Sequence, residues 1–175
     1  MKVGFGCDHT AIELKKILMD HLKEKGYECV DYGAYDPNVK VNYPEPGLKV
    51  AEAIMRGEVE KGVLLCGTGI GISLAANKVP GIRAAVCSEP YSAKRTVAHN
   101  NATIIAMGAR GIGPELATLL VDEFFGASFQ GRRLAERVAM LSDLDHKYVP
   151  ALLAAQAKVT SPRATAQPTR LYLIR

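Results

Sequence analysis

The sequence has 175 residues, 48% hydrophobic and 23% charged, which predicts one globular domain and excludes a disordered chain. Its net charge of +4 belongs to the end of the chain, since residues 1–148 carry 18 acidic groups and as many basic ones. There is thus no concentrated basic stripe for nucleic acid, and no segment reaches the roughly 18 apolar residues of a membrane span.

In chain order, residues 3–6 form a short apolar run with no long apolar leader before it, so no signal peptide is expected. Asp8, His9 and Thr10 suit a helix start, and Ile12, Ile17, Leu18 and Leu22 approximate a helical stripe ending at Gly26. Residues 27–30 read as a second strand and residues 33–46, with three prolines, as a loop. Leu48, Ala51, Ile54 and Met55 recur at helical spacing. Residues 63–66 are a continuous apolar run, as expected of a strand covered on both faces. A glycine turn at 67–71 precedes a helix over 72–78. Strands then follow at 82–86 and 103–107, each succeeded by a helix, at 91–99 and from Pro114 to about 125. The sum is an α/β fold: a three-layer α/β/α Rossmann-like domain with a five-stranded parallel sheet. An extra C-terminal helix over about 131–147 follows another helix and is free to pack elsewhere, even on a partner chain. Residues 149–175, with three prolines and no acid, read as a mobile extension whose apolar end at 171–174 docks on something.

Ligands of open parallel sheets bind beyond the carboxyl ends of the strands. Three polar clusters fall there: Cys7-Asp8-His9, Cys66-Gly67-Thr68-Gly69-Ile70-Gly71, and Ser88-Glu89. The glycines of the middle cluster let backbone N–H groups approach a ligand, and the next helix turns its positive end toward them, which favours phosphate or a developing oxyanion. A dinucleotide fingerprint fails at Ile72, and a P-loop fails because no Lys follows before Lys78. Cys66, where strand meets loop, is surrounded by dipoles that favour a thiolate. The competing reading is an inert buried cysteine, which is retained for Cys7, Cys29 and Cys87. The four cysteines have no CxxC spacing, fitting a reduced, cytoplasmic protein. Asp8 is a candidate cap of the first helix as well as a polar site group. His9 and His99 can donate to phosphate or move protons near neutrality, and Asn100 can cap its helix. Arg133 and Arg137 share a helix face and repel unless an anion or Glu136 offsets them. Arg110, after the fifth strand, is a third cation at a sheet edge.

Together GCDH at 6–9, YPxxG at 43–47, CGTGIGISLAANKVPGIRAAVCSEPYSA at 66–93, HN at 99–100 and GRRLAERV at 131–138 resemble the ribose-5-phosphate isomerase B (RpiB/LacAB) family of sugar-phosphate isomerases. The resemblance covers about residues 1–148. It implies aldose–ketose interconversion of ribose 5-phosphate and ribulose 5-phosphate through a cis-enediolate, with no cofactor and no metal. By that resemblance Cys66 is the base, while Thr68 and the amides of Gly67, Gly69, Ile70 and Gly71 hold the oxyanion. Asp8 and His99 assist ring opening and hydroxyl proton transfer. His9, Arg110, Arg133 and Arg137 bind phosphate, and Tyr43 and Asn100 position the sugar. In such relatives the last-helix arginines enter the neighbouring subunit's site, so a homodimer or a dimer of dimers is implied.

The chain departs from the family pattern at Asn42, Asn101 and Thr103, and at Arg132 and Leu134, which interrupt the usual Gly-Gly-Arg-His. These changes bear on which sugar is taken, leaving open a tetrose 4-phosphate or an allose or galactose 6-phosphate. A non-catalytic phosphosugar-binding protein, and a thiol sensor pairing Cys66 with Cys7, are alternatives of other classes.

Overall fold

A computed structural model describes residues 1–159, with side chains to residue 150. Five parallel strands, β1 (Lys2–Cys7), β2 (Glu28–Asp31), β3 (Lys61–Cys66), β4 (Ala84–Val86) and β5 (Ile104–Gly108), lie in the order β2-β1-β3-β5-β4. The helices are α1 (Ile12–Glu24), α2 (Pro44–Met55), α3 (Ile70–Ala76), α4 (Pro90–Asn100), α5 (Pro114–Gly126) and α6 (Arg133–Val159).

The central strands are apolar throughout because helices cover both faces. On one face Leu14, Leu18 and Leu22 of α1, Ala93 and Val97 of α4, and Leu120, Val121 and Phe124 of α5 pack on Phe5, Val63, Leu65, Ile105 and Met107. On the other, Val50 and Ala51 of α2 and Ile72 and Ala76 of α3 pack on Leu64, Ile104 and Ala106. Cys66 belongs to this second, smaller core.

The expected alternation is present, with local differences that have physical causes. α2 begins at Pro44, inside the expected loop, because a first-turn proline has no intrahelical N–H to lose. β4 begins only at Ala84, where the Asn77 side chain accepts from the Ala84 N–H at 2.7 Å and donates to its carbonyl at 2.8 Å. An amide side chain there takes the bonds of a further strand.

The last helix does not stop near residue 147 but runs to Val159 through Pro150, across the start of the expected extension. The alanine-rich stretch after the proline favours helix strongly enough to continue it. The docking expected of residues 171–174 lies outside the described residues.

A buried lysine fastens the start of the loop between β2 and α2. Lys15 Nζ, whose side chain is 4% exposed, donates to Asp31 at 2.8 Å and to the Ala34 carbonyl at 2.7 Å. Ala34 in turn donates its N–H to the Cys7 carbonyl at 2.9 Å, joining the loop to the end of β1. Replacing Lys15 with Met leaves Asp31 unpaired beneath that loop. Since Asp31 keeps 27% exposure and can rehydrate, the expected loss is about 2 kcal/mol in urea unfolding, below that of a fully sealed pair.

Candidate active site

Strand order reverses direction between β1 and β3, and there the Cys7–Thr10 and Cys66–Gly71 turns face each other across the carboxyl edge. Asp8, 7% exposed, takes its backbone bond from β3, its N–H donating to the Leu65 carbonyl at 3.2 Å. Its Oδ1 accepts the Thr10 N–H at 2.9 Å and the Thr10 hydroxyl at 2.6 Å. Asp8 is therefore not the expected cap of α1, whose N-cap is Ala11; it closes a tight side-chain turn ahead of the helix. His9 accepts the Val41 N–H on Nδ1 at 3.3 Å, which leaves its proton on Nε2 when the ring is neutral.

The glycine loop is shaped by backbone contact with β5. Gly69 has φ +77°, and a Cβ there would lie 2.7 Å from the Met107 carbonyl carbon. A Cβ on Gly108 would likewise lie 2.8 Å from the Thr68 backbone. With both side chains absent, the loop folds over the strand end and the Gly69 N–H donates to Cys66 Sγ at 3.1 Å. The Thr68 hydroxyl, exposed, accepts the Ile70 N–H at 3.3 Å. The first-turn amides of α3 have no intrahelical acceptor. Tyr43, 45% exposed, lies on Gly71, where an added Cβ would meet its ring at 2.6 Å. Arg110 donates its N–H to the Gly67 carbonyl at 3.1 Å and lays its side chain alongside Gly67.

The other cysteines are poor bases. Burial pushes the thiols of Cys7 and Cys87 up to about 11, and burial raises that of Cys29 as well. At pH 8 a thiol titrating near 11 is ionised in about one molecule in a thousand.

Four expected site residues sit elsewhere. α4 runs back from the carboxyl end of β4, so His99 and Asn100 lie at the amino edge of the sheet, opposite Cys66. The start of α6 joins them there, the Gln130 N–H donating to the Ala98 carbonyl at 3.0 Å. His99, Arg132 and Arg133 line an open cavity of about 640 Å³, with Arg137 one turn further along α6. With strands of five to six residues, the two edges are roughly 15–20 Å apart. The structure thus gathers Asp8, His9, Tyr43, Cys66, Gly67, Thr68, Gly69, Ile70, Gly71 and Arg110 at one edge. His99, Asn100, Arg133 and Arg137 gather at the other.

A family model described as Ribose/Galactose Isomerase matches residues 3–141. The chain belongs to the ribose/galactose isomerase family. Among family members, ribose-5-phosphate isomerase B of Escherichia coli is 44% identical over 146 residues, 83% of this chain and 97% of the relative. D-erythrulose-4-phosphate isomerase of Pectobacterium atrosepticum is 43% identical over 148 residues, 84% of this chain and 97% of the relative. The solved ribose-5-phosphate isomerase B of Clostridium thermocellum superposes with a TM-score of 0.83 at 49% identity, covering 85% of this chain and 99% of that one. Arg132, a departure from the pattern expected by resemblance, sits at φ +52°, a left-handed backbone that suits glycine.

Sequence reasoning passed over Lys15 and Arg95, and read Thr10 only as part of a helix start. Lys15 carried one usable signal, being a charged residue among the apolar positions of α1. Arg95 carried another in its four-residue spacing from His99.

Proposed function

We propose that this isomerase interconverts D-ribose 5-phosphate and D-ribulose 5-phosphate, with Cys66 as the base, in a site shared between two copies of the chain. The observation that carries the chemistry is the Cys66 sulfur, held by the Gly69 N–H beside the open amides of a glycine loop. A thiolate there takes the proton from C2 of the open-chain aldose, and the electron pair forms a cis-enediolate. The S–H returns that proton to C1 while the 2-hydroxyl proton passes to the C1 oxygen, giving the ketose. Thr68 and the amides of Gly67, Ile70 and Gly71 stabilise the negative oxygen, each well-aimed donor contributing roughly 3–4 kcal/mol, while the Gly69 amide stays on the sulfur. Asp8 keeps Oδ2 for the sugar hydroxyls, because the Thr10 N–H and hydroxyl both donate to Oδ1. His9 offers Nε2–H, and Arg110 a cation, to the phosphate. Binding the phosphate away from the reacting carbons orients them for the transfer.

The split between the two edges supports the shared site. Within one chain His99, Asn100, Arg133 and Arg137 lie a strand length from Cys66, and a two-fold related copy supplies them across an isologous contact. A homodimer is the smallest assembly with this property, and a dimer of dimers preserves it.

Kinetic comparison of four-, five- and six-carbon aldose phosphates tests the substrate. The pentose pair is expected to have the highest kcat/KM, and no turnover of it would transfer the reading to another chain length. Subunit exchange tests the sharing. Inactive Cys66→Ala chains mixed equally with inactive Arg133→Ala/Arg137→Ala chains form heterodimers with one intact site of two. Random exchange should restore about a quarter of wild-type activity. No recovery despite measured exchange would refute a site built from two copies.

A further inference from the structure

We propose that Arg95 is a positioning residue that presents His99 to the sugar as a hydrogen-bond donor through Nδ1. This rests on the reading of His99 as a sugar-handling group, and its test separates the two ideas.

Tyr91, Arg95 and His99 follow one another at four-residue intervals along α4 and so share a face. The Arg95 guanidinium lies 5.2 Å from the Tyr91 ring centroid, and its Nη1 is 3.1 Å from His99 Nε2. A guanidinium has only donors, so the bond has one direction: Arg95 donates and Nε2 accepts. An imidazole accepting at Nε2 has its single proton on Nδ1. The remaining nitrogen is the one left for the cavity that His99 lines with Gln130, Arg132 and Arg133.

Arg95 has no other evident employment. Among the described residues no carboxylate forms an ion pair with it. Its Nε is buried without a hydrogen-bond partner, the one such side-chain atom among the described residues. A residue kept only for stability at this position would use that nitrogen or lack it. An arginine sandwiched between an aromatic ring and an imidazole instead fixes the rotation of the imidazole and chooses its tautomer. His99 then meets the sugar with an N–H and cannot accept a proton through Nε2 while the Arg95 bond holds.

The direct test is ¹⁵N NMR of the intact protein labelled on histidine, with His99 assigned by its loss in His99→Gln. The expected spectrum has a protonated, pyrrole-like Nδ1 and an acceptor-like Nε2. A proton on Nε2 in the wild-type protein would overturn the proposal without any need for a variant at Arg95. In Arg95→Met the Nε2–H tautomer should appear, with kcat reduced about tenfold and KM changed less than twofold. Arg95→Lys keeps a donor and should recover part of both signals. An Arg95→Met protein with unchanged tautomer and kcat would also overturn the proposal. Full activity in His99→Gln would instead remove His99 from the chemistry, and with it the sugar-facing half of the claim, while the NMR result would still decide what sets the tautomer.

Discussion

Cys66→Ala is expected to lower kcat by about 10²–10⁴-fold, the range for removing a positioned general base, while phosphosugar affinity stays within a few-fold of wild type. The two effects separate because the groups read as holding the sugar phosphate, His9, Arg110 and Tyr43 at this edge, do not rely on the thiol for their place. His9 is fixed by Val41, Arg110 by Gly67 and Tyr43 by the bare face of Gly71. Isothermal titration with substrate on the variant, beside steady-state kinetics, checks both halves. A non-catalytic phosphosugar binder would bind normally and show no turnover in the wild-type protein either. Retained turnover in the alanine variant would remove the thiolate base. None of the other three cysteines is favoured to substitute, since burial raises the thiol of each.

Gly69→Ala is expected to cost about 3–4 kcal/mol of stability and to disable the site together. The left-handed backbone at φ +77° penalises any L side chain by roughly 1–2 kcal/mol. The added methyl also meets three backbone atoms of Met107 at 2.7–3.0 Å, and main chain cannot swing aside as a side-chain tip would, which adds roughly 1–3 kcal/mol. Any relief that lifts the loop withdraws the Gly69 N–H from the Cys66 sulfur, so kcat should fall even in molecules that remain folded. Urea unfolding and kinetics on the soluble fraction measure the two losses. Gly26→Ala is an internal comparison: it shares a positive φ, +85°, but nothing lies within 4 Å of its added carbon. It should therefore show the conformational penalty alone and leave kcat unchanged.

The sheet and its covering helices were legible because apolar runs such as residues 63–66 and the stripe of α1 depend on local periodicity. The placement of Cys66 at the end of β3 and of Asp8 just after β1 followed from the same alternation. What was not legible depends on long-range geometry. Nothing in the spacing of His99, Arg133 and Arg137 says which sheet edge they occupy. That follows from α4 running antiparallel to the strands and α6 starting beside Ala98. The contact of Gly69 with Met107 is equally hidden, since 38 positions separate the two residues and the partner atoms are main chain. The early start of α2 was missed for a different reason. Residues up to Pro46 were read as loop, whereas Pro44 and Pro46 lie in the first turn of a helix and begin it.

The Asn77 side chain has one more consequence. By occupying both outward-facing backbone groups of Ala84, it ends β-ladder growth at the short β4 margin. Further strands have no template there, so the sheet closes at five on that side. A copy of the chain approaching this margin meets helices and loops rather than a free strand, and the molecule is spared one route to uncontrolled polymerisation.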